Sequence, residues 1–149
     1  MDHDILRTEL TADPLGVGYA AMSAEEAVAA LNAKTRARPV SITSGELLAW
    51  SGQAGRFQRL DDAADNPALP GELRSVCKTA RAMILRDGTT LDLTRPDRAA
   101  MLGALVASGV LTGDDAASLT ALGQEKCSRA EELGLPTVGP HHVDYARSL

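Results

Sequence analysis

The chain has 149 residues and a formal net charge of −5, and 44% of its residues are hydrophobic but only 3% aromatic. This length suits one domain whose core needs neither disulfides nor metal, and the acidic balance argues against a general nucleic-acid binder, because neutralising phosphates requires a basic surface. No apolar run approaches the roughly 18 residues of a membrane span, and the polar start at Met1–Asp4 does not resemble a secretory signal. We therefore expect a cytoplasmic protein with an aliphatic core between closely packed helices.

Apolar residues recur with a helical period along most of the chain. The predicted helices cover 3–11, 24–34, 45–51, 54–64, 72–86, 96–108, 115–132 and 140–147. The predicted linkers between them are Asp13–Met22, Thr35–Ile42, Asp65–Pro70 and Asp87–Leu93. Thr89–Leu93 alternates like a strand, but a lone strand without a partner is better predicted as an extended loop.

Start and stop signals agree with these helices. Ser23–Glu26 and Thr43–Glu46 read as capping boxes, and Thr94–Asp97 and Thr112–Asp115 are weaker versions with aspartate in place of glutamate. Three glycines follow apolar helical stretches, where a left-handed residue can end a helix, namely Gly88, Gly109 and Gly134. The sequence predicts an all-α fold, a compact bundle of about six to eight short helices forming a single domain over 1–149.

The helix predicted over 72–86 has two distinct faces. One is an apolar stripe, and the other carries Arg74, Lys78 and Arg81, with Arg86 a turn further on. The basic face is a candidate for binding an acidic partner or a DNA backbone, although a solvated helix face is the more common outcome. Two cysteines, Cys77 and Cys127, are too few for a disulfide framework, and we expect buried free thiols.

We find no arrangement of residues that indicates an enzyme, a cofactor or a metal. Gly16–Gly18 lacks the preceding strand and the third glycine of a dinucleotide fingerprint, so we read it as a tight structural turn. Adjacent histidines such as His141–His142 point about 100° apart on a helix and rarely share one ion. Neighbouring carboxylates, as in Glu131–Glu132, more often form a solvated face than an acid and a base across a cleft.

The segment Glu9–Ser23 reads E-L-x-x-D-P-L-G-x-G-Y-A-x-M-S and is followed by Ala27–Asn32, which ends in L-N. This N-terminal motif, together with a C-terminal motif at Ser128–Pro136 followed by Val138 and His142–Val143, resembles a family of small tailed-bacteriophage proteins of similar length. Val17 stands where that family usually has arginine. Thr35–Glu46 matches more loosely, and the middle, 50–110, matches only in being helical.

The resemblance implies a virion structural or adaptor protein of the head–tail neck or of the tail and its fibre attachment. We would then expect a homo-oligomer that contacts other virion proteins, is made in the host bacterial cytoplasm, and binds neither membrane nor a specific nucleic-acid sequence. The family has no assigned catalytic residues to carry over. The alternatives are a soluble interaction module outside the virion, such as an assembly chaperone or a host-directed regulator, and an enzyme with a hidden site.

Two further regions are candidates for partner binding. In the Asp13–Tyr19 turn, we expect Gly16 or Gly18 to take a positive φ and Leu15 and Tyr19 to pack on the bundle or into a partner. At the C-terminus, Pro140–Leu149 is short and polar, with Val143, Tyr145 and Leu149 as its only anchors. We expect this tail to leave the bundle, to become ordered on assembly, and to be dispensable for folding.

Overall fold

A computed structural model describes all residues 1–149 and divides the chain into two compact units. Unit 1 consists of Met1–Arg38 and Lys126–Leu149, and unit 2 consists of Pro39–Glu125. The single domain predicted over 1–149 stays a prediction. No helix is long and apolar enough to cross a membrane.

Nine helices and four short strands follow one another along the chain. The helices are α1 (His3–Ala12), α2 (Ala24–Asn32), α3 (Ser44–Ser51), α4 (Arg56–Asp65), α5 (Gly71–Leu85), α6 (Pro96–Ala107), α7 (Gly113–Leu122), α8 (Arg129–Glu132) and α9 (Pro140–Ser148). The strands are β1 (Arg36–Pro39), β2 (Ile42–Thr43), β3 (Thr90–Leu91) and β4 (Gln124–Cys127), and a single 3-10 turn covers Tyr19–Ala21. The fold is mostly helical, so the all-α prediction is correct only in this coarser sense.

Local capping explains where several helices begin. Ser23, Thr43 and Thr112 each form both halves of a capping box, as the sequence predicts. The box predicted at Thr94–Asp97 is not formed, because Thr94 instead turns back and donates from its backbone N–H and its hydroxyl to Asp92. The three glycines predicted to end helices all have positive φ.

The strands correct two of the sequence predictions. The stretch predicted as a helix over 115–132 is split, because α7 ends at Leu122 with Gly123 as its C-cap, and Gln124–Cys127 forms β4, which pairs with β1. The stretch predicted as an extended loop contains β3, whose antiparallel partner is β2, with Ile42 opposite Leu91 and Thr43 opposite Thr90. Both pairings join residues that are distant in sequence, so no local sequence pattern predicts them.

The core of unit 1 includes the C-terminal helix. Val143 and Ala146 in α9 are 0% and 1% exposed, and α9 packs against α1 and α2. The tail that the sequence predicted to leave the bundle is therefore part of the unit, because two apolar positions on one face suffice where neighbouring helices cover them. The buried apolar residues of this core are Leu6, Leu10, Tyr19, Ala27, Leu31, Ala130, Leu135, Val138, Val143 and Ala146.

In unit 2, α5 packs against α3, α4 and α6, and a partly open cavity of about 40 Å³ lies among the core side chains. At the edge of this core lies a buried polar network centred on Asp115, which accepts hydrogen bonds from Arg56 Nε at 2.7 Å and from Thr112 N at 2.9 Å. Burial raises the pKa of Asp115, but these bonds outweigh it and lower the pKa to about 2.

Cys77 and Cys127 are both buried free thiols, and burial raises the pKa of Cys77.

Candidate interaction surface

The two motifs that carry the resemblance meet in unit 1 through a buried ion pair. Arg129 in α8 donates from Nε and Nη2 to the two carboxylate oxygens of Glu9 in α1, at 2.8 and 2.7 Å. The Glu9 side chain is only 3% exposed, and its carboxylate raises the pKa of the Arg129 guanidinium. Because a bidentate pair fixes the orientation of both partners, this contact holds α1 to α8.

Further motif residues join the same unit. Asn32, the last residue of α2, donates from its side-chain amide to the carbonyl of Val138 at 2.8 Å and accepts from the N–H of Val138 at 3.1 Å. Arg129 also donates to Glu132 at 3.0 Å, and Arg36 forms a second ion pair with the same carboxylate. The contact with Arg129, followed by that with Arg36, lowers the pKa of Glu132. Residues about a hundred positions apart in sequence thus form one connected set.

The turn of the N-terminal motif, which we call the motif loop (Asp13–Tyr19), is organised by Asp13. This residue ends α1 in the left-handed region, at φ 40°. Its carboxylate accepts the backbone N–H groups of Val17 at 2.8 Å and Gly18 at 2.6 Å, and its carbonyl accepts that of Gly16 at 2.9 Å. Three hydrogen bonds to one residue fix the path of the chain between α1 and the 3-10 turn that begins at Tyr19.

The motif loop exposes apolar side chains at its tip, and its last residue, Tyr19, is held in the core of unit 1. Leu15 and Val17 are 41% and 36% exposed, whereas Tyr19 is 1% exposed and lies in the core of unit 1. Arg147 in α9 donates to the carbonyls of Tyr19 at 2.8 Å and Met22 at 3.0 Å. Of the two loop residues considered for partner binding, Leu15 is therefore on the surface, and Tyr19 packs back on the unit.

Glycine is required in this loop for a conformational reason, which gives a first testable prediction. Gly16 and Gly18 have φ values of 64° and 88°, and a Cβ added at either position would meet nothing within 4 Å. We expect Gly18→Ala to lower the free energy of unfolding by about 1 kcal/mol through backbone strain alone, as measured by urea denaturation. Gly103→Ala is the matched control, because the same change in open space within α6 should leave stability unchanged or raise it. Equal shifts for the two variants would contradict the left-handed loop.

The three histidines of the chain lie together in unit 1, close to Tyr145. The ring centroids of His141 and His142 are 3.8 Å apart, and that of His3 is 6.0 Å from His142 and 4.7 Å from Tyr145. Burial lowers the pKa of His142, and the charges of His141, His3 and the N-terminus lower it further. No group of three histidine, cysteine or carboxylate side chains has the geometry to hold a metal ion.

The remaining C-terminal candidates divide between surface and core. Tyr145 and Leu149 are about half exposed and share a surface depression with the first four residues of the chain. Val143 is completely buried, so it stabilises unit 1 and offers no surface to a partner.

The basic face of α5 does not present a row of free cations. Arg81 donates from Nη1 to Asp61 at 2.6 Å and to Asp65 at 2.9 Å, which raises its pKa. Arg74 is half-buried, with a buried Nε that has no hydrogen-bond partner. Of the three predicted residues, Lys78 alone is exposed and forms no ion pair.

Sequence reasoning did not foresee the residues that build the motif loop and its support. Four of them belong to the two motifs, but the sequence predicted no structural role for them: Glu9, Asp13, Asn32 and Arg129. One local signal was available, because Ser128 and Glu131 have the same spacing as the other capping boxes and do form one.

No protein-family model matches the chain, and no curated protein or solved structure matches it significantly. The resemblance to phage proteins therefore stays a prediction.

Proposed function

We propose that this protein is a structural or adaptor component of a tailed-bacteriophage virion, at the head–tail neck or at the tail and its fibre attachment. It assembles as a homo-oligomer and contacts other virion proteins, after synthesis in the cytoplasm of the host bacterium. The proposal assigns no reaction, cofactor or metal to the chain. In such a protein, function resides in surface geometry repeated by symmetry.

The observation that carries the proposal is the convergence of the two motifs in unit 1. The residues that suggested the family are the ones that tie α1, α2, α8 and the motif loop together, through the Glu9–Arg129 pair and the Asn32–Val138 contact. The segment that matches the family only in being helical lies within unit 2. A shared role would therefore depend on unit 1 and on what it exposes.

What unit 1 exposes at the motif loop is suited to docking. Leu15 and Val17 are apolar, lie in the surface, and sit on a backbone whose conformation is already fixed by the Asp13 carboxylate. A rigid loop loses little conformational entropy when it binds, so most of the free energy gained from burying these side chains contributes to affinity. We infer that the tip of the motif loop inserts into an apolar pocket of a neighbouring virion subunit.

A charge-insertion variant tests this role. Leu15→Asp combined with Val17→Asp should leave the melting temperature nearly unchanged, because both side chains are exposed, but it should strongly reduce incorporation into particles. A buried unpaired carboxylate at an interface costs several kcal/mol, which corresponds to a loss of about a hundredfold or more in affinity. Incorporation is measured by complementing a deletion of the gene and quantifying the protein in purified particles.

The matched control is Leu48→Asp combined with Leu85→Asp, which places the same two charges at exposed leucines of unit 2. This control should be incorporated like the natural chain. Equal incorporation of the motif-loop variant and the control would show that the loop is not a docking element.

A further inference from the structure

Unit 2 contains an open groove of about 440 Å³, formed by α5, the residues that lead into β3, and α6. Its polar lining consists of three cationic side chains and three hydroxyls, contributed by Lys78, Arg86, Arg98, Thr79, Thr89 and Thr90. No carboxylate lines it. On a chain with a net charge of −5, this is a local concentration of charge of the opposite sign.

The cations of the groove are largely available to a ligand. Lys78 and Arg86 are exposed and form no ion pair, unlike Arg81 on the same helix. Arg98 lies with Nε 3.5 Å from Asp97 and donates from Nη1 to the sulfur of Met83 at 3.0 Å, which orients its guanidinium within the groove. The groove is therefore lined by two cations without an ion pair, Lys78 and Arg86, and by a third, Arg98, whose charge is partly neutralised by Asp97.

The rest of the groove is apolar. Ala82 and Met83 line it beside the cations, and a methionine side chain adapts its shape to apolar groups that differ in form. A ligand that matches this surface has acidic groups to pair with the cations and an apolar group to cover Met83. Both features occur together in an acidic protein segment that also carries aliphatic side chains.

We propose that this groove binds an extended acidic segment of a partner protein, in which carboxylates flank an apolar side chain. Nucleic acid is the less suitable occupant, because a phosphate backbone requires cations spread along an extended surface, whereas these cations are confined to one concave site that also has an apolar lining. The inference concerns unit 2 and does not depend on the role proposed for the motif loop.

The test measures binding of a fluorescein-labelled peptide of alternating glutamate and leucine by fluorescence anisotropy, with a short DNA duplex as the competing probe. We expect saturable peptide binding that weakens as salt is added. Reversing both free cations, as Lys78→Glu with Arg86→Glu, should weaken binding by about tenfold or more. The matched control, Arg7→Glu with Lys126→Glu, applies the same charge change at exposed residues of unit 1 and should alter affinity by less than about twofold.

Two results with the peptide would overturn the proposal: no saturable binding, or equal weakening of binding by the groove variant and the control. The proposal would also be overturned if the DNA duplex bound more tightly than the peptide and the groove variant abolished that duplex binding. Circular dichroism checks that each variant is folded. If charge reversal disturbs the fold, Lys78→Gln with Arg86→Gln replaces it in the same comparison and should still weaken binding beyond the control.

Discussion

Ending the chain at Thr137, which removes α9, should unfold unit 1 or lower its free energy of unfolding by about 3 kcal/mol or more. The truncation exposes the surfaces of α1 and α2 that Val143 and Ala146 cover, and it removes the hydrogen bonds from Arg147 to the carbonyls of Tyr19 and Met22. Since domains of this size are stable by only about 5–15 kcal/mol, the loss is a large fraction of the total. Urea denaturation followed by circular dichroism measures it.

Point variants test whether the packing of α9 side chains, and not the loss of chain length itself, causes the lower stability of the truncated protein. Val143→Ala deletes buried methyl groups and should cost about 2 kcal/mol, whereas Asp144→Ala, at an exposed position of the same helix, should cost less than about 0.5 kcal/mol. A truncated protein that unfolds at the same urea concentration as the full chain would contradict the packing of α9. That result would instead favour the dispensable tail expected from sequence.

Breaking the buried pair between Glu9 and Arg129 should be similarly costly. Arg129→Met leaves the Glu9 carboxylate, in a side chain only 3% exposed, without its partner, and we expect a loss of about 3–5 kcal/mol. Replacing both residues, as Glu9→Leu with Arg129→Met, should recover much of that loss, because the stranded charge is then absent. Thermal and urea unfolding of the two variants give the comparison.

Arg81→Met is the matched control for this pair. Arg81 also binds two carboxylates, those of Asp61 and Asp65, but these lie at the surface with side chains 44% and 65% exposed. Such a surface pair contributes at most about 1 kcal/mol. If Arg129→Met costs no more than Arg81→Met, the contact between the two motifs does not support the fold of unit 1.

The elements that sequence predicts well are those with local causes. Ser23, Thr43 and Thr112 cap their helices with partners three residues away, so the signal and the structure lie within the same turn. The pairing of β2 with β3 and the split at Gly123 depend instead on contacts between distant segments. The burial of α9 could not be predicted from its own sequence, because Val143 and Ala146 provide little apolar surface. It becomes evident only in the structure, where α9 packs against α1 and α2.

The candidate site divides in the same way. Pro14, Gly16 and Gly18 identify a tight turn, and the positive φ values of both glycines confirm the prediction that at least one of them would adopt one. The carboxylate of Asp13 could have been suspected, because aspartate often accepts hydrogen bonds from nearby backbone N–H groups. The contact between Glu9 and Arg129 spans 120 positions, and no spacing rule indicates it.

The proposed virion role is tested most directly by mass spectrometry of phage particles purified from bacteria that produce this protein. We expect the protein to be present in multiple copies per particle, and cross-links from lysines placed at Leu15 or Val17 to reach a neighbouring virion subunit. A protein that is produced during infection but missing from the particles would contradict a virion role. That outcome would favour an assembly chaperone or a host-directed regulator.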